Sequence, residues 1–403
     1  MSTQASLLQG KLIAFFHQSS DMYGSDKILL YLAEGVQAMG GQAVVLLPDT
    51  GPLTREFEVR GIEFHIVPIL KVTRARFSVR GMLELVREFQ VAMPAYEKVF
   101  GTRQVDLVHS NTLAVLGGAL WARRRRIPHL WHVHEIIEHP RVAAHLFPLL
   151  VKAFSDHVVC NSHATYSWLA GAQASLKKKM SVIWNGVHAP TRMDENVVED
   201  MRRRFRPGGS RLAIGLVGRI NRWKGHGLLM DAVDILHGKG ISDFSVVFMG
   251  SPPPGQEIFE IGLRQRIARS PMREHILVQG FTGDIWPAYT ALDIVCVPST
   301  EPEPFGLVAV EGMAVGKPVV ASRFGGLTEI VVNGMTGLTF SPQDANALAT
   351  ALEKLLCDEA MRIRCGLAGK ERFEAEFSVN RMQTKFSELF RSMSRTHLFA
   401  PGH

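Results

Sequence analysis

Short runs of branched and aromatic apolar residues punctuate the first half of the chain: LIAFFH, AVVLLP, FHIVP, DLVHS, HLWHV and HVVCN, with longer amphipathic stretches between them. Strand-length runs that alternate with helix-length segments predict βα units feeding a parallel sheet. After SVIWNGVHAP and a polar stretch over 191–210, the rhythm restarts as LAIGLVG, SVVFMG, ILVQG, DIVCV and KPVVA. The pattern predicts an α/β protein of two Rossmann-like lobes joined near residues 186–210, the first over 1–190 and the second over 191–378. The last segment, VNRMQTKFSELFRSM (379–393), has helical spacing and no strand after it. Residues 379–403 are therefore expected as a C-terminal helix that packs back on the first lobe. No solenoid repeat or low-complexity tract interrupts this layout.

Length and composition agree with two folded lobes: 403 residues suit two ordinary cores, and 46% hydrophobic against 21% charged residues excludes a disordered chain. No apolar run reaches the roughly 18 residues that span a bilayer. LIAFF has no small-residue cleavage site behind it, so neither anchor nor signal peptide is expected. Cys160, Cys296, Cys357 and Cys365 form no C-x-x-C pair and lie mostly in apolar stretches, which points to buried reduced thiols and a cytoplasmic address. A net charge of +7 suggests an anionic partner without choosing its class. The basic runs KVTRAR (71–76), ARRRR (122–126), KKK (177–179) and RRRFR (202–206) each read most simply as a solvated face. They lack interleaved aromatics, which argues against nucleic acid as a partner. No G-x-G-x-x-G follows a first strand, which argues against a nicotinamide enzyme.

Candidate chemistry centres on EPEPFGLVAVE (301–311). The strand DIVCVPS ends near Ser299, two prolines keep the next residues extended, and Gly306 is expected to open a helix running to about Val315. Glu303 then precedes that helix and Glu311 lies inside it, on one face with Leu307, Val310 and Ala314. A carboxylate among apolar neighbours needs hydrogen-bond partners. Ribose hydroxyls would serve, and so would backbone amides or an arginine within a core. A second crossing loop, GLVGRINRWKG (215–225), places Arg219 and Lys224 straight after the second lobe's first strand. Two cations there suit a diphosphate, although a basic surface loop would read the same way.

Taken in order, VGRINRWKG, ILVQGFTGDIWPAYTALDIVCVPS, the Glu-x7-Glu element from Glu303 to Glu311, GKPVVASRFGGLTEIV and NGMTGLTF resemble the donor-binding half of family 4 retaining glycosyltransferases, over nearly all of 210–355. DMYGSDKILLYLA, DLVHSN, HVHE, VVCNSHAT and VIWNGV resemble the first lobe of that family more loosely. The resemblance implies the GT-B architecture, with two Rossmann-like lobes facing each other across a cleft. It implies transfer of a hexose-type sugar from a nucleotide-diphosphate sugar, the donor substrate, to a saccharide or lipid-linked acceptor in bacterial cell-surface polysaccharide or glycolipid synthesis. No separate cofactor is implied.

The family also implies roles. Arg219 and Lys224, with Gly218 beside them, would bind the diphosphate and act in catalysis with Glu303 and His134. Glu311 would accept the ribose hydroxyls, Glu303 would hold sugar hydroxyls, and the Phe305, Gly306, Leu307 and Val308 amides would meet sugar and phosphate. His134 would lie beside the reacting sugar, and Gly24 would let the first lobe's backbone approach the diphosphate. Phe281, Thr282 and Gly283 would meet the base. The family's usual Gly-Gly pair is Tyr23-Gly24 here, and the residue after the first acid is Pro304. Glu301 is a rival to Glu303, but only Glu303 has the family spacing. No Asp-x-Asp occurs in the chain, so the expectation is a metal-independent enzyme. The competing enzyme class on this architecture is a sugar-nucleotide epimerase. Finally, Lys71–Arg80 with Phe77, the Arg123–Arg126 cluster and HLFPLLVKAF (145–154) support two readings. One is docking on the anionic inner membrane surface; the other is a core helix and an ordinary arginine-closed helix end.

Overall fold

The computed structural model describes the backbone of residues 7–72, 79–281 and 284–396. Thr282 and Gly283, expected to meet the base, and most of the Lys71–Arg80 stretch lie outside the described residues. The chain divides into two compact units: Met1–Gly186 together with Val379–His403, and Val187–Ser378.

The N-terminal unit holds a parallel seven-stranded sheet built from β1 (Leu12–Phe16), β2 (Gln42–Leu47), β3 (Glu63–Ile66), β4 (Leu107–Asn111), β5 (His129–Val133), β6 (His157–Cys160) and β7 (Met180–Val182). Its order is β3-β2-β1-β4-β5-β6-β7. Strands β1, β4 and β5 are buried at every position, as expected where helices cover both faces of a parallel sheet. The second unit repeats the plan with β8 (Leu212–Val217), β9 (Phe244–Met249), β10 (Ile276–Gln279), β11 (Ile294–Val297), β12 (Val319–Ser322) and β13 (Gly337–Phe340). Its order is β10-β9-β8-β11-β12-β13. Each sheet thus reverses direction once, between β1 and β4 and between β8 and β11. Crevices for ligands open at such reversals, outside the carboxyl ends of the strands.

Local chemistry starts the helices where the sequence supplies a cap. The side chains of Ser162, Asp194, Asp344 and Asp358 accept from Thr165, Asn196, Ala347 and Met361 N–H groups at 2.9, 2.9, 2.9 and 2.8 Å. The arginine run closes helix Gly117–Arg125, whose end is the left-handed Arg126, so here the ordinary reading of these residues holds. Arg125 pairs with Glu97 at 3.1 Å and Arg123 lies over the Phe154 ring. Of the four cysteines, Cys160, Cys296 and Cys365 are buried free thiols, whereas Cys357 is exposed.

The final helix, Val379–Thr396, belongs to the N-terminal unit. Gln383 donates to the Tyr31 carbonyl at 2.6 Å, and a side chain at Gly35 would strike Gln383 at 2.8 Å, so the glycine admits the close crossing. Phe390 is 1% exposed and meets Phe15 and His109 edge-on, at ring separations of 6.1 and 5.7 Å. Removing a ring this enclosed leaves a cavity as well as losing its transfer free energy. Phe390→Ala should therefore destabilise the N-terminal unit by about 3–5 kcal/mol. Urea denaturation followed through a probe confined to that unit checks the value, and a change under 1 kcal/mol would show that the helix is not part of its core.

Candidate active site

In the second unit, the loop after β8 runs from Gly218 to Gly225, and the loop after β11 runs from Pro298 to Gly306. Because β8 and β11 are neighbours, these loops meet at the sheet's reversal point. Lys224 Nζ donates to Glu303 Oε1 at 2.6 Å, with side-chain exposures of 14% and 6%. Ser299 Oγ donates to the same oxygen at 2.6 Å. Lys224 also stands over the Trp223 ring, 4.2 Å from its centre. Asn221 Oδ1 holds the Lys224 and Trp223 N–H groups at 3.1 and 3.2 Å, which fixes the turn that presents the lysine. The ion pair is thus clamped from both loops.

Glycines permit this approach. Gly225 has φ +78°, and a Cβ there would lie 1.9 Å from the Pro298 carbonyl oxygen. Gly325 has φ +60°, and its Cβ would lie 2.2 Å from the Glu303 carbonyl, against which Gly325-Gly326 is laid as a short bridge. Gly326 N–H donates to that carbonyl at 2.7 Å. Glu301, the rival acid, instead pairs with the exposed Arg222. Glu303 is thus the acid held inside the loop crossing, and Glu301 the one at its surface.

Helix Leu307–Ala314 follows Gly306, whose φ of +121° turns the chain into it. The sequence-based helix ends one residue later, at Val315, which is the observed C-cap. The Ala309 and Val310 N–H groups donate to the Gly306 carbonyl at 3.0 and 3.4 Å, which leaves the Leu307 and Val308 N–H groups at the helix start as the anion donors. Leu307 and Val308 are half-buried in that turn, and Phe305 is buried beneath it. Glu311 is 7% exposed and accepts from Tyr289 Oη at 2.6 Å. Burial first, and the adjacent Glu311 second, push the Tyr289 phenol well above its usual range, so it remains a donor at neutral pH. The sequence weighed ribose, amides and arginine as partners for Glu311 and missed this tyrosine. Tyr289 lies 22 residues away, and no local spacing marks it. Arg219 is half-buried in the β8 loop beside Gly218, whose φ is +146°. Phe281 is 44% exposed just beyond β10.

In the N-terminal unit, Gly24 begins helix Gly24–Ala38 after β1, and His134 directly follows β5. A polar cluster at this sheet's reversal links them. Asn111, at the end of β4, donates to the Ser25 carbonyl at 3.1 Å and meets His134 Nε2 through Oδ1 at 2.9 Å. Asn111 Nδ2 also lies 3.1 Å from His17 Nδ1, and His17 Nε2 lies 2.6 Å from Asp26 Oδ1. Glu135 Oε2 accepts from the Leu113 and His134 N–H groups at 3.1 Å each. Burial pushes His134 down to about 3, with the nearby His17 adding to the effect, and it pushes Glu135 up to about 7 against those two amide bonds. Of these residues the sequence reading singled out only His134. His17 directly follows β1, Asn111 ends β4, Asp26 lies in the first turn of helix Gly24–Ala38 and Glu135 follows His134. The segments holding Asp26, Asn111 and Glu135 carry the family resemblance, but nothing in their local order shows that these side chains meet.

Comparison with known proteins follows the same division. The model of group 1 glycosyl transferases matches residues 197–372, and the model of glycosyltransferase family 4 matches residues 23–189. Between them they take in both units. The chain belongs to the family 4 glycosyltransferases. It is 27% identical to an uncharacterized glycosyltransferase of Methanocaldococcus jannaschii over 84% of this chain and 87% of that one. It is 30% identical to the D-inositol 3-phosphate glycosyltransferase of Corynebacterium urealyticum, in a match that takes in 59% of this chain and 57% of that relative. The crystal structure of Anabaena HepE in complex with UDP and glucose superposes with a TM-score of 0.80, at 25% identity, over 94% of this chain and 99% of that one. The family 4 chain described here is accordingly an α/β glycosyltransferase of GT-B type, with two Rossmann-like lobes.

The Tyr289–Glu311 bond generates a direct test. Tyr289→Phe removes the hydroxyl that donates to the buried Glu311 carboxylate, at a cost of about 1–3 kcal/mol. Chemical denaturation of the C-terminal unit should show that loss, whereas an unchanged midpoint would mean that water replaces the phenol without cost.

Proposed function

We propose that this transferase moves a hexose-type sugar, with retention at the anomeric carbon, from a nucleotide-diphosphate sugar to a saccharide or lipid-linked acceptor in bacterial cell-surface polysaccharide or glycolipid synthesis. The observation that carries the reading is the meeting of Lys224, Glu303 and the Leu307 helix start at the β8–β11 reversal, with Glu311 one helical stretch further in. In this reading Arg219, Lys224 and the first-turn amides receive the diphosphate, so charge growing on it during departure meets fixed cations and a helix dipole. Lys224 then shares its proton donors between Glu303 and phosphate, and the Glu303 carboxylate turns its remaining lone pairs to sugar hydroxyls. Glu311, held by Tyr289, accepts the ribose hydroxyls; Phe281 offers its exposed ring to the base. His134 and the Gly24 turn serve the sugar and diphosphate from the N-terminal unit. Supporting the donor class, the Anabaena relative is seen with UDP and glucose.

Metal-free action is part of the proposal, because loop cations and a helix terminus supply the positive charge that a bound divalent ion would otherwise bring. The address proposed is cytoplasmic with reversible docking on the inner membrane face. Among the described residues no helix is long and apolar enough to cross a membrane. Helix Arg141–Phe154 buries Ala143, Phe147, Pro148 and Val151, yet Val142 and Leu149 remain 60% and 54% exposed on the face that carries Lys152. That face offers apolar contact edged by charge, which anionic headgroups suit.

Incubation with a panel of nucleotide sugars, read as nucleotide release with and without saccharide acceptors, tests the function. Acceptor-dependent release of one nucleotide is expected, with Lys224→Ala lowering kcat more than donor affinity and EDTA leaving the rate unchanged. Conversion of the nucleotide sugar to its epimer without transfer would favour the epimerase instead, and metal-restored activity after EDTA would remove the metal-free step. For docking, co-sedimentation with anionic vesicles at low salt and its loss at high salt are expected. Equal binding to neutral vesicles, or none to either, would sink the electrostatic docking.

A further inference from the structure

The polar cluster of the N-terminal unit contains enough fixed donors and acceptors to assign every proton in it. Asp26 is buried, and its pKa lies below the usual value: burial alone would raise it, but the hydrogen bonds from His17 and the Tyr23 amide outweigh the penalty. An ionised carboxylate only accepts, so the 2.6 Å contact requires a proton on His17 Nε2. Tyr23 N–H supplies the second oxygen at 2.8 Å, which locks the carboxylate to the loop before helix Gly24–Ala38. The amide of Asn111 is oriented independently of any histidine, because the atom 3.1 Å from the Ser25 carbonyl must be its nitrogen. That NH2 group also lies 3.1 Å from His17 Nδ1, closer than the Asn111 carbonyl oxygen at 3.4 Å, so the shorter contact is best met by Nδ1 as acceptor. The other end of the amide is then an oxygen, and an amide oxygen accepts only. His134 Nε2, 2.9 Å away, must be the donor.

We infer that Asp26, His17 and Asn111 are positioning residues that hold His134 in its Nε2–H tautomer, leaving Nδ1 as a lone-pair acceptor for a substrate hydroxyl. The inference rests on the proposed transfer reaction for its use, but not for its geometry. His134 Nδ1 has no protein partner among the described residues. The ring is also held at its backbone, where Glu135 accepts the His134 N–H, and from one side by His132, whose ring centre is 3.9 Å away. An imidazole fixed in one tautomer presents a hydroxyl with an acceptor at every encounter, whereas a freely exchanging ring presents an N–H for part of the time. Asn111 does for His134 what a carboxylate or carbonyl does behind other functional histidines, except that its own orientation is set by the Ser25 carbonyl and supported by His17, which Asp26 holds in place.

The test is nitrogen-15 NMR of the full-length protein with labelled histidine, with His134 signals assigned by their loss in His134→Gln. The parent should show one protonated and one bare nitrogen, the proton on Nε2. Asn111→Leu keeps the branched shape at Cγ and removes the amide oxygen and nitrogen; its His134 should become a mixture of tautomers. Turnover with the nucleotide sugar found active should fall roughly 10- to 100-fold, as when an outer partner of a functional histidine is lost, with donor KM little changed. Asn111→Asp is nearly isosteric and still presents an accepting oxygen to His134, although it loses the donor to the Ser25 carbonyl. It should keep the single tautomer with turnover between the parent and the leucine variant, and it guards against misfolding of the latter. A parent ring protonated on Nδ1, an unmixed tautomer in Asn111→Leu, or a mixed tautomer with unchanged turnover would each overturn the inference. A parent that turns over no nucleotide sugar while its His134 shows the Nε2 proton would instead overturn the transfer reading and leave the proton assignment standing.

Discussion

A carboxylate that is only 5% exposed, like that of Glu303, costs several kcal/mol unless charge and hydrogen bonds meet it. Lys224 and Ser299 do so at 2.6 Å each, one from the loop after β8 and one from the end of β11. This requirement propagates outward. The lysine can reach the acid only if the two loops nearly touch, and they touch only because Gly225 lets backbone pass the Pro298 carbonyl. The acid's own backbone is in turn held by Gly325-Gly326, which leads into helix Leu327–Ile330 after β12. Three successive crossings of the sheet are thus tied to one ion pair.

The two units solve the same problem with different chemistry. Both place polar side chains at the point where a parallel sheet reverses, because that is where strand ends diverge and leave backbone groups and space unfilled. The C-terminal unit fills it with opposite charges at short range. Its counterpart relies on largely neutral groups: an amide, several imidazoles and a single ionised aspartate. A positively charged loop suits an anion directly, whereas a neutral relay controls which atom of one ring carries a proton. Donor binding and hydroxyl positioning call for those two different properties.

Most of the fold was legible because parallel strands buried on both faces leave continuous apolar runs, and LIAFF and LAIGLV are such runs. The Glu-x7-Glu spacing was legible for a related reason: the acids belong to one strand-helix crossing, and local chain order fixes their separation. Tyr289, Ser299 and Asn111 were not, because their meaning depends on which strands become neighbours. Asn111 ends a strand in a run, LVHSN, that reads as core until β1 is known to lie beside β4. The arginine run 123–126 shows the opposite limit. Its charge stood out in the sequence, while the structure uses part of it to close a helix and pair with Glu97.

The imidazole-rich cluster also sets a pH window for the N-terminal unit, and the sign follows from the direction of each shift. His129 and His134 are lowered by burial to about 4 and about 3, and His109 and His132 are lowered further by burial and by neighbouring imidazoles. Groups kept neutral in this way contribute stability that is complete above their ordinary value near 6.5 and is lost as pH falls through the lowered ones. Glu135 acts oppositely: raised to about 7, it contributes stability that is complete below its ordinary carboxylate range and is lost as pH rises through 7. Below the window the unit must place protons on imidazoles packed against Phe386 and Phe390; above it, an extra carboxylate charge appears beside His134. The two windows do not coincide: the imidazole contribution is complete only above about 6.5, where most of the Glu135 contribution has already been lost, so the unit's pH response is a compromise between them. Toward neutral pH the Asp26 carboxylate is ionised and the His134 ring is neutral, and a neutral His134 is what the tautomer assignment requires.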